Sequence, residues 1–173
     1  MDSSAGRGWS ARIPDVAWAP VTVGVLMVVV GATGVFAGQP WLFPSLGPTA
    51  FLQGEEPSHP SSRPYNVVAG HLIALGAALL IVALLGASHA PAVTSTGHLT
   101  MVRMWTAVLT MALTSFGLIV LRSKHTPAAS TALLFALGSF SPTLRNAIAL
   151  AVGVVIVAVV GEVFRRARLG KLG

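Results

Sequence analysis

Residues 41–53 read WLFPSLGPTAFLQ, an apolar stretch interrupted at its start by prolines and small residues. A second stretch of the same character, residues 127–140, reads PAASTALLFALGSF. At ~1.5 Å per helical residue each would reach about 20 Å, which is short of the ~30 Å hydrocarbon core of a bilayer. This composition is typical of a broken or re-entrant helix, whose irregular backbone is tolerated at membrane depth only inside protein or beside a cavity.

Each short stretch lies between two apolar segments that are long enough to span a bilayer, which takes roughly 20 helical residues. These long segments are residues 16–37, 67–88, 102–121 and 147–164. Of the 173 residues, 54% are hydrophobic and only 9% are charged, and the mean hydropathy of +0.77 lies outside the range of soluble domains. We therefore predict an all-α integral membrane protein with four long transmembrane helices and two short or broken helices.

The long–short–long order occurs twice, in residues 16–88 and again in residues 102–164, which together form one transmembrane domain over 16–164. At an offset of 82 residues, five positions of the first unit carry the same residue as the second: Thr49 and Thr131, Ala50 and Ala132, Leu52 and Leu134, Pro60 and Pro142, Arg63 and Arg145. If the short stretches cross the membrane, each unit crosses three times and the second copy is inverted. If they only dip in and return, the chain crosses four times.

The basic residues distinguish these two topologies. With both termini inside, six crossings place nine Lys or Arg residues in the cytoplasm and two outside, whereas four crossings place seven inside and four outside. Since cytoplasmic loops carry the excess of Lys and Arg, we favour six crossings. The segment 1–15 and the basic tail 165–173 are then cytoplasmic in a multi-pass plasma-membrane protein, and a ratio of nine Arg to two Lys hints at a bacterial chain.

Several classes of function have little support in the sequence. There is no cysteine, and the five acidic residues lie outside the apolar runs except Glu162, which ends one. An acid–base pair at membrane depth is therefore lacking, and we expect no enzyme activity. The five dispersed histidines have no metal-ligand spacing on one helix, so we predict no metal and no cofactor. A basic face with interleaved aromatic residues is also absent, which argues against nucleic acid.

The starts of the two short helices point to an anion. Unpaired N–H groups and the positive end of the helix dipole bind anions at a helix N-terminus. Ser45, Gly47 and Thr49 lie at the first start, and Ser130 and Thr131 at the second, where hydroxyls add donors and small side chains let a ligand approach. The structural alternative is that these hydroxyls only cap their own helices.

Three further polar residues lie beside these apolar stretches. His71 lies one turn into an apolar run, and ionisable residues at membrane depth usually face a polar interior. Asn66 precedes it by five positions, and His125 lies at the mouth of the second short helix. His71 and His125 are the candidates for contact with the anion, and we expect Asn66 near His71 at the start of the helix that they share. The alternative is a neutral His71 that only bridges helices, and a His125 that is an ordinary interfacial group.

At these residues the sequence resembles the HPP family of bacterial and plastid membrane proteins. The resemblance rests on FPSLGPTA (43–50), PYNVVAGH (64–71) and HTPAASTAL (125–133), where Thr126 replaces the first proline of the motif that gives the family its name. It implies an integral membrane protein related to members implicated in nitrite transport, with Ser45, Thr49, Asn66, His71, His125 and Thr131 on the pathway. Some members carry a C-terminal regulatory domain, which we do not expect here.

We therefore expect a transporter or channel for a small anion, with nitrite as the first candidate. No nucleotide-binding motif is present, so transport would be passive or coupled to an ion. The expected partners are the lipid bilayer and a small inorganic anion, and a homo-oligomer is compatible with the sequence. The alternative is a non-transporting membrane subunit that packs against a partner protein.

Overall fold

The computed structural model describes residues 13–171, and this part of the chain is helical, without a β-strand. Its seven α-helices are α1 (Asp15–Phe36), α2 (Leu46–Glu55), α3 (Pro64–Leu84), α4 (Val93–Thr96), α5 (Met101–Val120), α6 (Ala128–Ala136) and α7 (Leu144–Arg168). The predicted all-α class is confirmed. Arg7 and Arg12, which we expect in the cytoplasm, lie outside the described residues.

Four of these helices, α1, α3, α5 and α7, are long and apolar enough to cross a membrane. This confirms the four predicted long helices, although their bounds differ by one to four residues and α7 continues to Arg168, within the predicted tail. Helix α3 begins three residues before the predicted position because Pro64 suits the first helical turn, where no N–H partner is needed. Helix α7 begins after Thr143, whose hydroxyl accepts a hydrogen bond from the Asn146 N–H as an N-cap.

The two predicted short helices are present as α2 and α6, but the first begins later than residue 41. Residues 41–45 are not helical, because the proline at 44 disfavours helical geometry at the preceding Phe43. The second ends at Ala136 and is followed by Gly138, whose φ of +76° is the left-handed conformation common after a helix. Helix α2 is therefore reached, and α6 is left, through a non-helical segment.

The helices pack in two matching groups. Helix α2 packs against α1 and α7, whereas α6 packs against α5 and α3. Each short helix thus contacts the long helix before it and the last long helix of the other half. Helices α3 and α7 pack against each other between the two groups. The inversion of the repeat stays a prediction.

One end of the bundle holds the starts of α1 and α3 together with the ends of α2, α5 and α7. The Tyr65 hydroxyl donates to the Leu121 carbonyl at 3.2 Å, which joins α3 to α5. The Arg168 guanidinium donates to the Ile13 carbonyl at 2.7 Å, which joins α7 to α1. We call this end of the bundle the Tyr65 end.

At the opposite end, the Arg103 guanidinium binds three backbone carbonyls from two parts of the chain. It donates to the carbonyls of Ala90 at 2.7 Å, Ala136 at 3.2 Å and Pro91 at 3.3 Å. The buried guanidinium therefore satisfies a C-terminal carbonyl of α6 and fastens α6 to the segment that follows α3. We call this the Arg103 end.

An aromatic cluster of Phe43, Phe135 and Phe140 belongs to the main apolar core. The Phe43 and Phe140 rings meet edge to face with centroids 4.9 Å apart, and those of Phe135 and Phe140 are 5.6 Å apart. Phe135 directly precedes Ala136, the residue bound by Arg103. This cluster therefore fills the Arg103 side of the core, between the segments that lead into α2 and out of α6.

Candidate functional site

Four of the predicted site residues form one buried hydrogen-bonded group, which we call the His–Thr cluster: Thr49, His71, His125 and Thr131. Thr49 Oγ1 lies 2.9 Å from His71 Nε2 and 3.1 Å from His125 Nε2. On the other side of its ring, His71 Nδ1 lies 2.7 Å from Thr131 Oγ1. The two Nε2 atoms are 3.2 Å apart, and all four side chains are at most 1% exposed. His71 therefore joins the first turns of α2 and α6.

The backbone carbonyl of Ser61 determines which nitrogens carry protons. It lies 2.9 Å from His125 Nδ1 and can only accept, so Nδ1 carries the hydrogen and Nε2 of neutral His125 is an acceptor. His71 must then donate from Nε2, and its Nδ1 accepts from the Thr131 hydroxyl. This assignment follows from the hydrogen-bond pattern. A directed chain of hydrogen bonds thus runs from Thr131 through both histidines to Ser61.

Gly70 allows His125 to approach α3. A Cβ atom at Gly70 would lie 2.7 Å from His125 Cβ and 3.2 Å from its ring, closer than side chains pack. The glycine therefore lets the segment before α6 lie directly against α3, with the imidazole turned toward His71. The centroids of the two rings are 4.9 Å apart.

Asn66 holds this segment without touching the cluster itself. Its Oδ1 accepts from the Lys124 N–H at 3.2 Å, and its carbonyl accepts from the Ser123 hydroxyl at 3.2 Å. Its Nδ2 donates to the Pro60 carbonyl at 2.7 Å. Asn66 thus ties the residues before His125 to the turn that contains Ser61.

Three other predicted residues lie apart from the cluster. Ser45 is fully buried, and its hydroxyl has no hydrogen-bond partner within residues 13–171. Gly47 faces open space. Ser130 is partly buried and lines a cavity beside α2. In the described structure, the side chains at the two N-caps, Ser45 and Pro127, make no capping hydrogen bond, and the hydroxyls of Thr49 and Thr131 bond to histidine rather than to their own helices.

Sequence reasoning missed a line of buried polar residues on α5: Arg103, Thr106, Thr110 and Thr114. The Thr106 hydroxyl donates to the Val102 carbonyl at 2.7 Å. Those of Thr110 and Thr114 have no partner among the described residues. The signal is the spacing of three or four residues, which places all four on one helix face.

Two cavities lie on either side of the turn at residues 59–62. The larger, of about 730 Å³, lies between α5 and the start of α6, with Arg122 and Lys124 in its wall and His125 beside them. We call it the basic cavity. The smaller, of about 460 Å³, lies between α2 and α6 and includes Glu55 in its wall. We call it the acidic cavity.

Among residues 13–171, the side chains that commonly bind metals do not converge in groups of three or more. The cluster instead offers two imidazoles and two hydroxyls, all of which form hydrogen bonds. The two imidazoles can titrate, and they face each other through their Nε2 atoms. Such a set can bind a small polar ligand or pass a proton along its hydrogen bonds.

The family comparison covers almost the whole chain. A family model described as "HPP, transmembrane region" matches residues 9–171. No curated protein and no solved structure matches the chain. The matched region includes all four long apolar helices and the whole His–Thr cluster. The chain therefore belongs to the HPP transmembrane region family and is a membrane protein.

Proposed function

We propose that this protein is a transporter or channel for a small inorganic anion, with nitrite as the first candidate. The observation that carries the proposal is that hydroxyls from the first turns of both short helices bond to the same buried imidazole, at 2.9 Å and 2.7 Å. Two helix N-termini directed at one polar point form a suitable anion site, because each contributes the positive end of its helix dipole.

The His–Thr cluster supplies the donors that the anion needs when it loses water. The hydroxyls of Thr49 and Thr131 can turn from histidine to the anion, since a hydroxyl both donates and accepts. His71 or His125 can take one proton and become a cation. An imidazolium beside the anion avoids the cost of burying an isolated negative charge. The described part of the cluster contains no carboxylate that would repel the anion.

We also propose that the two halves are inverted copies. Reciprocal packing supports this: His125 of the second half lies on Gly70 of α3, and Phe43 of the first half lies 3.6 Å from a Cβ built at Gly153 of α7. Phe43 and His125 are separated by the same offset of 82 residues as Thr49 and Thr131. Each half thus inserts a ring against a glycine of the other, and the two short helices begin near the same depth from opposite ends.

The distribution of charge supports an orientation with the Tyr65 end in the cytoplasm. The described basic residues at that end are Arg63, Arg122, Lys124, Arg165, Arg166, Arg168 and Lys171, whereas Arg103 and Arg145 belong to the other end. Cytoplasmic loops carry the excess of Lys and Arg. In this orientation α2 and α6 cross the membrane together with the non-helical segments next to them, and both chain ends are cytoplasmic.

The test is anion flux into proteoliposomes. Purified protein is reconstituted, and uptake of nitrite, nitrate, formate and chloride is compared with that of empty liposomes. We expect nitrite uptake above that of empty liposomes. Thr33→Val should keep this uptake, because the Thr33 hydroxyl bonds to the Val29 carbonyl of its own helix. Folded protein that moves none of the four anions contradicts the proposal and favours the non-transporting subunit.

A further inference from the structure

The basic cavity follows one face of α5 from the Tyr65 end toward the middle of the bundle. Helix α5 contributes residues at helical spacing to its wall, from Met111 through Thr114 and Leu118 to Arg122 just beyond the helix. The opposite wall is the segment that carries His125 and the start of α6. His125 belongs both to this wall and to the His–Thr cluster, so the cavity ends beside that cluster.

The charge of this cavity differs from that of its neighbour. Arg122 and Lys124 are exposed, and the ion pairs found within residues 13–171 involve neither of them. No carboxylate is among the residues that line the basic cavity. The acidic cavity shares the turn at residues 59–62 but has Glu55 and no Lys or Arg in its wall. An anion is therefore attracted to one cavity and repelled by the other.

A buried hydroxyl provides a second, independent sign of a ligand. Thr114 is 2% exposed, lines the basic cavity, and has no hydrogen-bond partner for its Oγ1 among the described residues. A threonine in a helix can usually bond to the carbonyl four residues before it, as Thr106 does. A buried hydroxyl without a partner is costly, and of the described hydroxyls without a partner only that of Thr114 belongs to a residue in the wall of the basic cavity.

We propose that the basic cavity is an anion-binding vestibule, through which a small inorganic anion reaches the His–Thr cluster, and that Thr114 is a binding residue within it. This inference rests on the proposed function and adds the route and its selectivity. Arg122 and Lys124 concentrate the anion at the mouth. Thr114 then replaces part of its water before the anion reaches His125. The acidic cavity does not take part.

The probe is a pair of thiol reagents of opposite charge, used on the full chain in phosphatidylcholine nanodiscs. The chain has no native cysteine, so Ser115→Cys places one thiol in the basic cavity and Ser130→Cys places one in the acidic cavity. The reagents are 2-sulfonatoethyl and 2-(trimethylammonium)ethyl methanethiosulfonate. A cleft lined by one sign of charge raises the association rate of the opposite ion by about tenfold or more. We therefore expect the labelling rate of Ser115→Cys to favour the anionic reagent over the cationic one. The labelling rate of Ser130→Cys should show no such preference.

Two double substitutions test whether the mouth residues cause the preference. Adding Arg122→Gln with Lys124→Gln should remove it, whereas Arg145→Gln with Lys171→Gln changes the net charge equally outside the basic cavity and should leave it intact. Nitrite at millimolar concentration should slow the anionic reagent, and Thr114→Val should reduce that protection about tenfold. The proposal is overturned if both cavities show the same preference. It is also overturned if Arg122→Gln with Lys124→Gln reduces the preference no more than Arg145→Gln with Lys171→Gln does.

The same measurements distinguish an anion vestibule from a groove that holds lipid. No reaction with either charged reagent, or protection by phosphatidylglycerol but not by nitrite, identifies a lipid-filled groove and overturns the proposal. If the wild-type chain shows no anion flux but Ser115→Cys keeps the labelling preference, transport is rejected and the binding site is retained. Flux without the preference rejects this route and leaves transport intact.

Discussion

The His–Thr cluster is held together by hydrogen bonds between uncharged groups, and each threonine hydroxyl can also bind an anion. Replacing Thr49 or Thr131 by Val keeps the shape of the side chain and removes the donor. A hydrogen bond to a charged partner contributes about 1.5 to 3 kcal/mol, so each substitution should weaken nitrite affinity roughly tenfold or more. The measurement is the concentration dependence of flux. Unchanged affinity in both variants, with Thr33→Val as the control, would show that the hydroxyls only position His71.

His71 should make anion transport depend on pH. An unperturbed histidine changes charge between about pH 5 and 8, and an anion near the ring favours the protonated form. By linkage, protonation favours the anion to the same extent, so flux should rise as the pH is lowered from 8 to 5.5. His71→Gln keeps hydrogen-bonding capacity but cannot titrate, and it should flatten this profile.

The control for this experiment is His98→Gln, which changes an exposed histidine in the loop before α5. It should keep the wild-type profile. The titratable partner that faces His71 in the described structure is His125, so a residual slope in His71→Gln would be assigned to that residue. An identical profile and rate in wild type and His71→Gln would mean that His71 only bridges α2, α3 and α6.

At the scale of the helices, α3 and the segment before α6 are closely packed at Gly70. Gly70→Ala would place a Cβ 2.7 Å from His125 Cβ, and overpacking of this kind costs about 1 to 3 kcal/mol. Gly76→Ala is a matched control in α3, because nothing lies within 4 Å of its Cβ position. We expect a lower melting temperature in detergent and loss of flux only for Gly70→Ala. Equal melting temperatures for the two variants would show that the segment shifts freely.

The sequence predicts the helices better than it predicts their contacts. Length and hydropathy are local properties, so the four long helices were found within a few residues, and the prolines near residue 44 marked an interrupted helix. The sequence singled out Thr49 and Thr131 because they lie at the starts of the two short helices, and His71 because it is an ionisable residue in an apolar run. Ser61 was missed, since its role depends on which loop packs against His125, and that information is tertiary. Thr114 was missed although its spacing from Thr106 and Thr110 places it on one face of α5.

For the whole molecule, the proposed orientation places Arg63 and Lys124 on the same side of the membrane and Arg145 on the other. The described contacts agree with the first part, since Asn66 near the start of α3 binds the Lys124 N–H. Arg63→Cys and Lys124→Cys should react with an impermeant thiol reagent only from the cytoplasmic side, and Arg145→Cys only from outside. Labelling of the first two from outside would contradict six crossings.

The aromatic cluster has a consequence for how the proposed transport would respond to membrane voltage. The basic cavity carries water toward the middle of the protein in our proposal, whereas Phe43, Phe135 and Phe140 fill the Arg103 side with apolar rings. The voltage drop is then concentrated across the aromatic half. Moving one charge through the whole drop changes its free energy by about 2.3 kcal/mol per 100 mV. Arrival of the anion from the cytoplasmic side is therefore nearly independent of voltage, and passage beyond the rings carries almost all of the electrical work.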